Sequence, residues 1–370
     1  MTDPTRVEPV PILVPVLPTA EEILPFLRRI DAGNVYSNYG PLSREFTTGL
    51  ANWVGRRAGQ ANIHVTLTSS GTTAIELALR DRALPGRRYC LMPSFTFVAS
   101  AHAVVNAGLE PFLLDVEEHS LVLTPRIAEA ALRHLPEPPA AVLVVSAFGA
   151  PPDIAAWEAF EEKHGIPVVF DAAAAVTSLR AVGHQPLCVS LHATKVFGIG
   201  EGGAILSTDA GLVDRTTAMT GFGFVGAERV STLRGGNFRI SEYAAAMGLA
   251  VLRGIEAKIE RLRHLGALYA RELAGAPCRL QDGAGTDWVT MTLNVILPPD
   301  RVEPVLQRFG AAGVQWRRWW GPGTHNHPAF AELPRADLSV TMALAPRVIG
   351  VPFHERLTPG QIARVCSCLH

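Results

Sequence analysis

Lysine is nearly missing from this sequence. Of 370 residues only Lys163, Lys195 and Lys258 are lysines, although basic residues number 33 in all. Arginine has taken the ordinary charged positions, so each remaining lysine calls for its own explanation. A charge excess of one sign is missing too: 33 basic residues stand against 34 acidic ones, a formal net charge of -1. That removes the electrostatic footprint of a nucleic-acid or anionic-membrane partner and leaves a small molecule as the expected one. The five cysteines, Cys90, Cys188, Cys278, Cys366 and Cys368, are odd in number and widely spaced apart from one C-x-C. They suit neither a disulfide framework nor a zinc site and read as reduced, mostly buried thiols. The apolar run VPILVPVLP, from Val10 to Pro18, is broken by prolines and too short to span a bilayer, and no basic leader or small-residue cleavage site accompanies it. It reads as an ordered arm of a cytoplasmic protein.

What is present is a large apolar content, 48 % of the chain, enough for a sizeable core and by length for roughly two domains. Between residues 63 and 209, short apolar runs alternate with helical patterns: HVTLT, RYCLMP, EPFLLDV, AAVLVVSAFG, PVVFDAA, LCVSLH and GGAILSTD. Runs that are apolar throughout, rather than at every second residue, imply strands covered on both faces. The expectation is an α/β fold whose large domain holds a mostly parallel seven-stranded sheet between helices. Residues 1–240 form the arm and this large domain. Residues 241–275 read as a long connecting helix, and residues 276–370 as a smaller C-terminal α/β domain.

In such a sheet, ligands bind beyond the carboxyl ends of the strands, where loops lead into helices. Three loops there carry different chemistry. TSSGTT (68–73) opens a helix, and Gly71, Thr72 and Thr73 offer free N–H groups at the positive end of its dipole, which suits a phosphate. A helix cap explains the same residues. VVFDAAAA (168–175) ends an apolar strand on Asp171, a carboxylate that local N–H groups could satisfy or that a cationic ring nitrogen could pair with. SLHATK (190–195), followed by GIGEGG, places Lys195 among small residues between two strands, a poor setting for a solvated lysine and a good one for a Schiff base. Lys163 and Lys258, in charged helical stretches, read as solvated. An aldehyde cofactor with a pyridine ring and a phosphate, pyridoxal phosphate, unites the three loops. Lys195 would anchor it and move the proton, Asp171 would keep its ring nitrogen protonated, and Ser190 would donate a hydroxyl to its phosphate.

With these residues placed, the order GTT, PSFTFVAS, FDAAAA, SLHATK, GEGG and GNFRISEYAAA resembles the DegT/DnrJ/EryC1/StrS aminotransferases. The likeness runs from YSNYGPLSREF (36–46) to PFHERLT near the C-terminus. It implies a fold type I pyridoxal-phosphate enzyme, an obligate dimer with shared active sites. It implies further that Phe97 stacks on one face of the ring and Ala173 packs on the other, and that Asn237 reaches the phosphate in the neighbouring subunit. Tyr36, Ser37 and Asn38 fall where the family meets the nucleotide-sugar. Arg317, Arg318 and His325, in RRWWGPGTHNH, fall in a variable stretch near the substrate, though such a cluster equally suits interface packing. The chain departs from the pattern at Ala174, where many members have a glutamine that helps hold the cofactor ring.

The activity this implies is transfer of an amino group from glutamate to a nucleotide-linked 3- or 4-keto sugar, in a ping-pong scheme through the pyridoxamine form of the cofactor. A sugar dehydratase of the same family is the nearest alternative, and Lys195 argues against it, because such members carry histidine at that position. A cyclitol or other non-nucleotide ketone as acceptor, and a non-catalytic cofactor-binding sensor, are the other readings. No metal is expected.

Overall fold

In a computed structural model the chain is described over residues 8–370. Seven strands form one sheet: β1 (His64–Thr68), β2 (Tyr89–Pro93), β3 (Glu110–Leu114), β4 (Ala141–Val145), β5 (Val168–Asp171), β6 (Leu187–Ser190) and β7 (Gly203–Ser207). Their order is β1-β7-β6-β5-β4-β2-β3. Strands β2 to β6 pair in parallel, and β7 runs antiparallel to both of its neighbours. The mostly parallel seven-stranded sheet read from the sequence is thus present. Parallel neighbours need a crossover helix, whereas residues 191–202 join β6 to β7 without one, so β7 can only turn back beside β6. Lys195 lies in that reversal.

Eight helices accompany this sheet: α1 (Ala20–Gly33), α2 (Pro41–Ala58), α3 (Gly71–Arg82), α4 (Ala99–Asn106), α5 (Pro125–Leu132), α6 (Ile154–His164), α7 (Ala210–Thr220) and α8 (Glu242–Glu272). Several starts are set by side-chain caps: Ser70 for α3, Thr124 for α5, Asp153 for α6, Asp209 for α7 and Ser241 for α8. Strands β2, β4, β5, β6 and β7 are buried at every residue, as their unbroken apolar sequences require. Two apolar layers result, one on each face of the sheet.

A three-stranded antiparallel sheet follows, ordered β10-β9-β8, from β8 (Arg279–Leu280), β9 (Leu293–Ile296) and β10 (Val348–Val351). Helices α9 (Val302–Ala311), α10 (Ser339–Leu344) and α11 (Pro359–Ser367) complete this part. The long α8 joins the two sheets in chain order and packs on α2, α1 and α11. Among the described residues no helix is long and apolar enough to cross a membrane, and no cysteine is paired.

Candidate active site

The carboxyl ends of β4, β5 and β6 open into one cavity of about 470 Å³, closed on its far side by Met291, Thr292, Arg317, Trp319 and Trp320. At its floor the start of α3 meets the ends of β6 and β7. Ser70 Oγ accepts the Thr73 N–H at 3.1 Å. That bond retains Thr73 within the cap, while Ser70, Gly71 and Thr72 face the cavity. A Cβ at Gly71 would stand 2.8 Å from Ser190 Cβ, so only glycine lets the helix start lie this close to the end of β6. Backbone N–H groups at the positive end of a helix, with the Ser190 hydroxyl beside them, make a cradle for a phosphate.

Across the cavity stands Asp171, 6 % exposed. Its Oδ2 accepts from Ser100 Oγ at 2.6 Å and its Oδ1 from the Ala173 N–H at 3.1 Å. Ser100 is in turn joined to Thr96 Oγ1 at 2.8 Å. Burial pushes the Asp171 carboxyl above its ordinary value, and these two bonds and the charge of Lys195 only partly oppose the shift. A further cation against the carboxylate would relieve the remainder.

Lys195 is half-buried on the same cavity. Its backbone N–H closes a turn on His192 O at 2.8 Å, and the His192 and Thr194 side chains join each other at 2.8 Å. Burial holds the Lys195 amine down to about 8, with Asp171 pulling the other way, so roughly a tenth of it is neutral at pH 7, far more than for a solvated lysine. Phe97 is 57 % exposed, although it sits in an apolar segment, and its exposed side faces the cavity. Ala173 and Ala174 line the same space. A bare aromatic ring facing a small residue leaves room for a flat heteroaromatic ring between them. Amine, carboxylate, phosphate cradle and aromatic plate are the donor set that pyridoxal phosphate requires, and the residues present fit it.

Sequence reasoning did not single out Ser100, the hydroxyl that steadies Asp171. It lies three residues after Phe97 in the same PSFTFVAS segment, and that spacing on a helix start was the available signal. Nor did it find the aromatic far wall, where the Phe148 and Trp320 rings stack at 3.9 Å and 14° with Phe95 edge-on to Trp320. Phe148 holds a left-handed φ of 52°, a strained backbone for a non-glycine residue, and its carbonyl accepts from Thr290 Oγ1 at 2.7 Å. Trp319 and Arg317 reach the cavity from the same side.

Other residues named from the sequence lie elsewhere in the chain. Arg318 donates to Pro346 O at 3.0 Å and covers Trp316. His325 is buried, its Nδ1 2.8 Å from Ser94 Oγ and its Nε2 2.9 Å from Asn326 Nδ2, and burial lowers its pKa. Tyr36 stacks on Tyr243, and Asn38 lines a second cavity of about 600 Å³ with Phe222 and Phe224. Ser37 is exposed beside them, and Asn237 is exposed and bridges Gly221.

Comparison with known proteins agrees with this geometry. Residues 18–370 match the DegT/DnrJ/EryC1/StrS aminotransferase family. A Mycobacterium tuberculosis protein, Protein Rv3402c, is 31 % identical over 97 % of this chain and 89 % of its own length. The dTDP-4-amino-4,6-dideoxy-D-glucose transaminase of Shigella dysenteriae is 28 % identical over 98 % of both chains. Among solved structures, DesI in the presence of its TDP-sugar product superposes with a TM-score of 0.84, at 30 % identity over 98 % of this chain and 92 % of its own. A putative PLP-dependent aminotransferase from Bacillus cereus gives a TM-score of 0.90, at 28 % identity over 98 % and 100 % of the two chains. With its seven-stranded sheet, its lysine on the β6–β7 reversal and a family match across nearly its whole length, the chain belongs to the DegT/DnrJ/EryC1/StrS family of pyridoxal-phosphate-dependent aminotransferases.

Proposed function

We propose that this chain transfers the amino group of glutamate to a nucleotide-linked keto sugar, and that Lys195, Asp171 and the 70–72 cradle do the work. The observation that carries the reading is that these three groups, from three separate strand ends, line one cavity. When bound, pyridoxal phosphate supplies an aldehyde and a ring that withdraws electrons from the amino-bearing carbon. The N–H groups at residues 70–72 and the Ser190 hydroxyl hold the phosphate. Asp171 would accept a hydrogen bond from the ring N–H and keep that nitrogen protonated, with Ser100 and the Ala173 N–H fixing the carboxylate. Phe97 and Ala173 confine the ring. Lys195 Nζ, whose amine burial holds down to about 8 and so keeps partly neutral near pH 7, would be the group that holds the aldehyde. The same Nζ, when free, would be placed to act as the general base that moves the proton. Because glutamate leaves before the acceptor enters, both pass through the same space, which is a ping-pong scheme.

Acceptor recognition falls to the far wall. The Phe148, Trp319 and Trp320 rings offer an apolar face to a sugar, and Arg317 offers a cation to a carboxylate or diphosphate. The relatives that act on dTDP- and UDP-linked sugars support this acceptor class. Tyr36, Ser37, Asn38 and Asn237 lie away from this chain's own cavity on an exposed apolar face, and serving the cavity of a second copy in a homodimer accounts for that position. Incubation with ¹⁵N-glutamate and a panel of nucleotide-linked 3- and 4-keto sugars tests the reading. One member should leave as a ¹⁵N-amino sugar with matching 2-oxoglutarate. Release of 2-oxoglutarate with no sugar labelled would remove the sugar and leave the cofactor chemistry.

A further inference from the structure

The proline-broken apolar arm is tied down at both ends. Val10 is fully buried, donates to Gly313 O at 2.9 Å and accepts from Gln315 N at 3.0 Å. Ile12 donates to Gln315 Oε1 at 3.2 Å, and its carbonyl accepts from Phe353 N at 3.2 Å. At the other end Val16 O accepts from Lys258 Nζ at 2.8 Å, and the same ammonium pairs with Glu355 Oε1 at 3.2 Å. Lys258 therefore departs from its sequence reading as a solvated lysine: its side chain is 18 % exposed and holds the arm on α8. Between the two ties, Leu13 lies where two spaces meet. It lines the active-site cavity beside Lys195 and Met291, and with residues 14–16 it closes a narrow cleft against Thr194, Lys195 and Val196.

We propose that residues 10–16 are a fixed strap over the catalytic lysine, in which Leu13 is a positioning residue that excludes water from the Lys195 amine and Lys258 is the clip that holds the strap in place. The inference rests on the reading of Lys195 as the cofactor-holding lysine. The Leu13 side chain offers no hydrogen-bonding atom, so the side of Lys195 that it covers cannot be solvated through it. The charged and titratable groups around Lys195 are Asp171, His192, Glu201 and Arg317 on the cavity and Lys258, His354 and Glu355 on the strap side. They are of both signs, and Asp171 among them favours the charged amine. A neutral amine at this position consequently depends on keeping water out.

The full-length apoenzyme and pyridoxal phosphate provide the test, with their combination followed by absorbance across neutral and alkaline pH. In that step the free Lys195 amine attacks the aldehyde carbon, a C=N bond forms and the aldehyde oxygen leaves as water. The wild-type rate should rise with pH through a midpoint of about 8. In Leu13→Ala the midpoint should move up by about one unit, slowing combination about tenfold below it. Lys258→Met, which keeps the apolar stem but loses the clip, should move it the same way by less. Exposed Lys163, changed to Met, should leave it unmoved. An unchanged midpoint in both Leu13→Ala and Lys258→Met overturns the strap alone. Equal combination by wild type and Lys195→Ala overturns the strap together with the cofactor reading.

Discussion

Asp171 is held under two opposing pressures. Burial in an apolar strand end penalises its charge, while Ser100 Oγ and the Ala173 N–H stabilise it. The buried carboxylate gains most from a protonated ring nitrogen. Asp171→Asn keeps the shape and removes the charge, so turnover should fall by about 10² or more, measured as kcat with saturating donor. Ser100→Ala removes one bond to a charged group, about 1.5–3 kcal/mol, so a loss of about tenfold to a hundredfold is expected in the same assay. Of these two residues, Asp171 was legible as an acid ending an apolar run, and Ser100 was not, because a small hydroxyl in a helix start is common. Lys195 stood out because the chain has so few lysines. By the same reasoning Lys258 was misread as solvated, since its partners Val16 and Glu355 lie far away in sequence.

The elements were legible where the pattern was local. Continuous apolar runs gave β1 to β7, and the proline-free stretch after Ser241 gave α8 as one 31-residue helix. What a one-dimensional pattern does not carry is contact between elements. Glu242, the first residue of α8, is 1 % exposed and accepts from the Leu42 and Ser43 N–H groups at 2.7 and 2.8 Å, so it caps α2 from two hundred positions away. Gly40, at the start of α2, has no side chain of its own to do so. The approach of α3 to β6 has the same character. There, Gly71→Ala would press a methyl group onto Ser190. It should weaken pyridoxal phosphate binding about tenfold and lower stability by about 1–3 kcal/mol, read by cofactor titration and by urea unfolding.

For the whole molecule, an exposed apolar face stands out. Tyr36, Phe222, Phe224, Val225, Val230 and Tyr243 are all between 36 % and 54 % exposed, and Asn38 and Asn237 belong to the same segments. Apolar exposure on this scale fits a protein partner, and the proposed second copy would also give these asparagines a cavity to serve. Light scattering should give twice the chain mass, and a monomer at all concentrations would contradict the shared-site reading. Lys195 carries the chemistry proposed for this chain. Reduction of the purified holoenzyme with borohydride, followed by digestion and mass mapping, should place one phosphopyridoxyl group on the peptide that contains Lys195 and none on the Lys195→Ala variant. A group found on Lys163 or Lys258, or label retained by the variant, would contradict it.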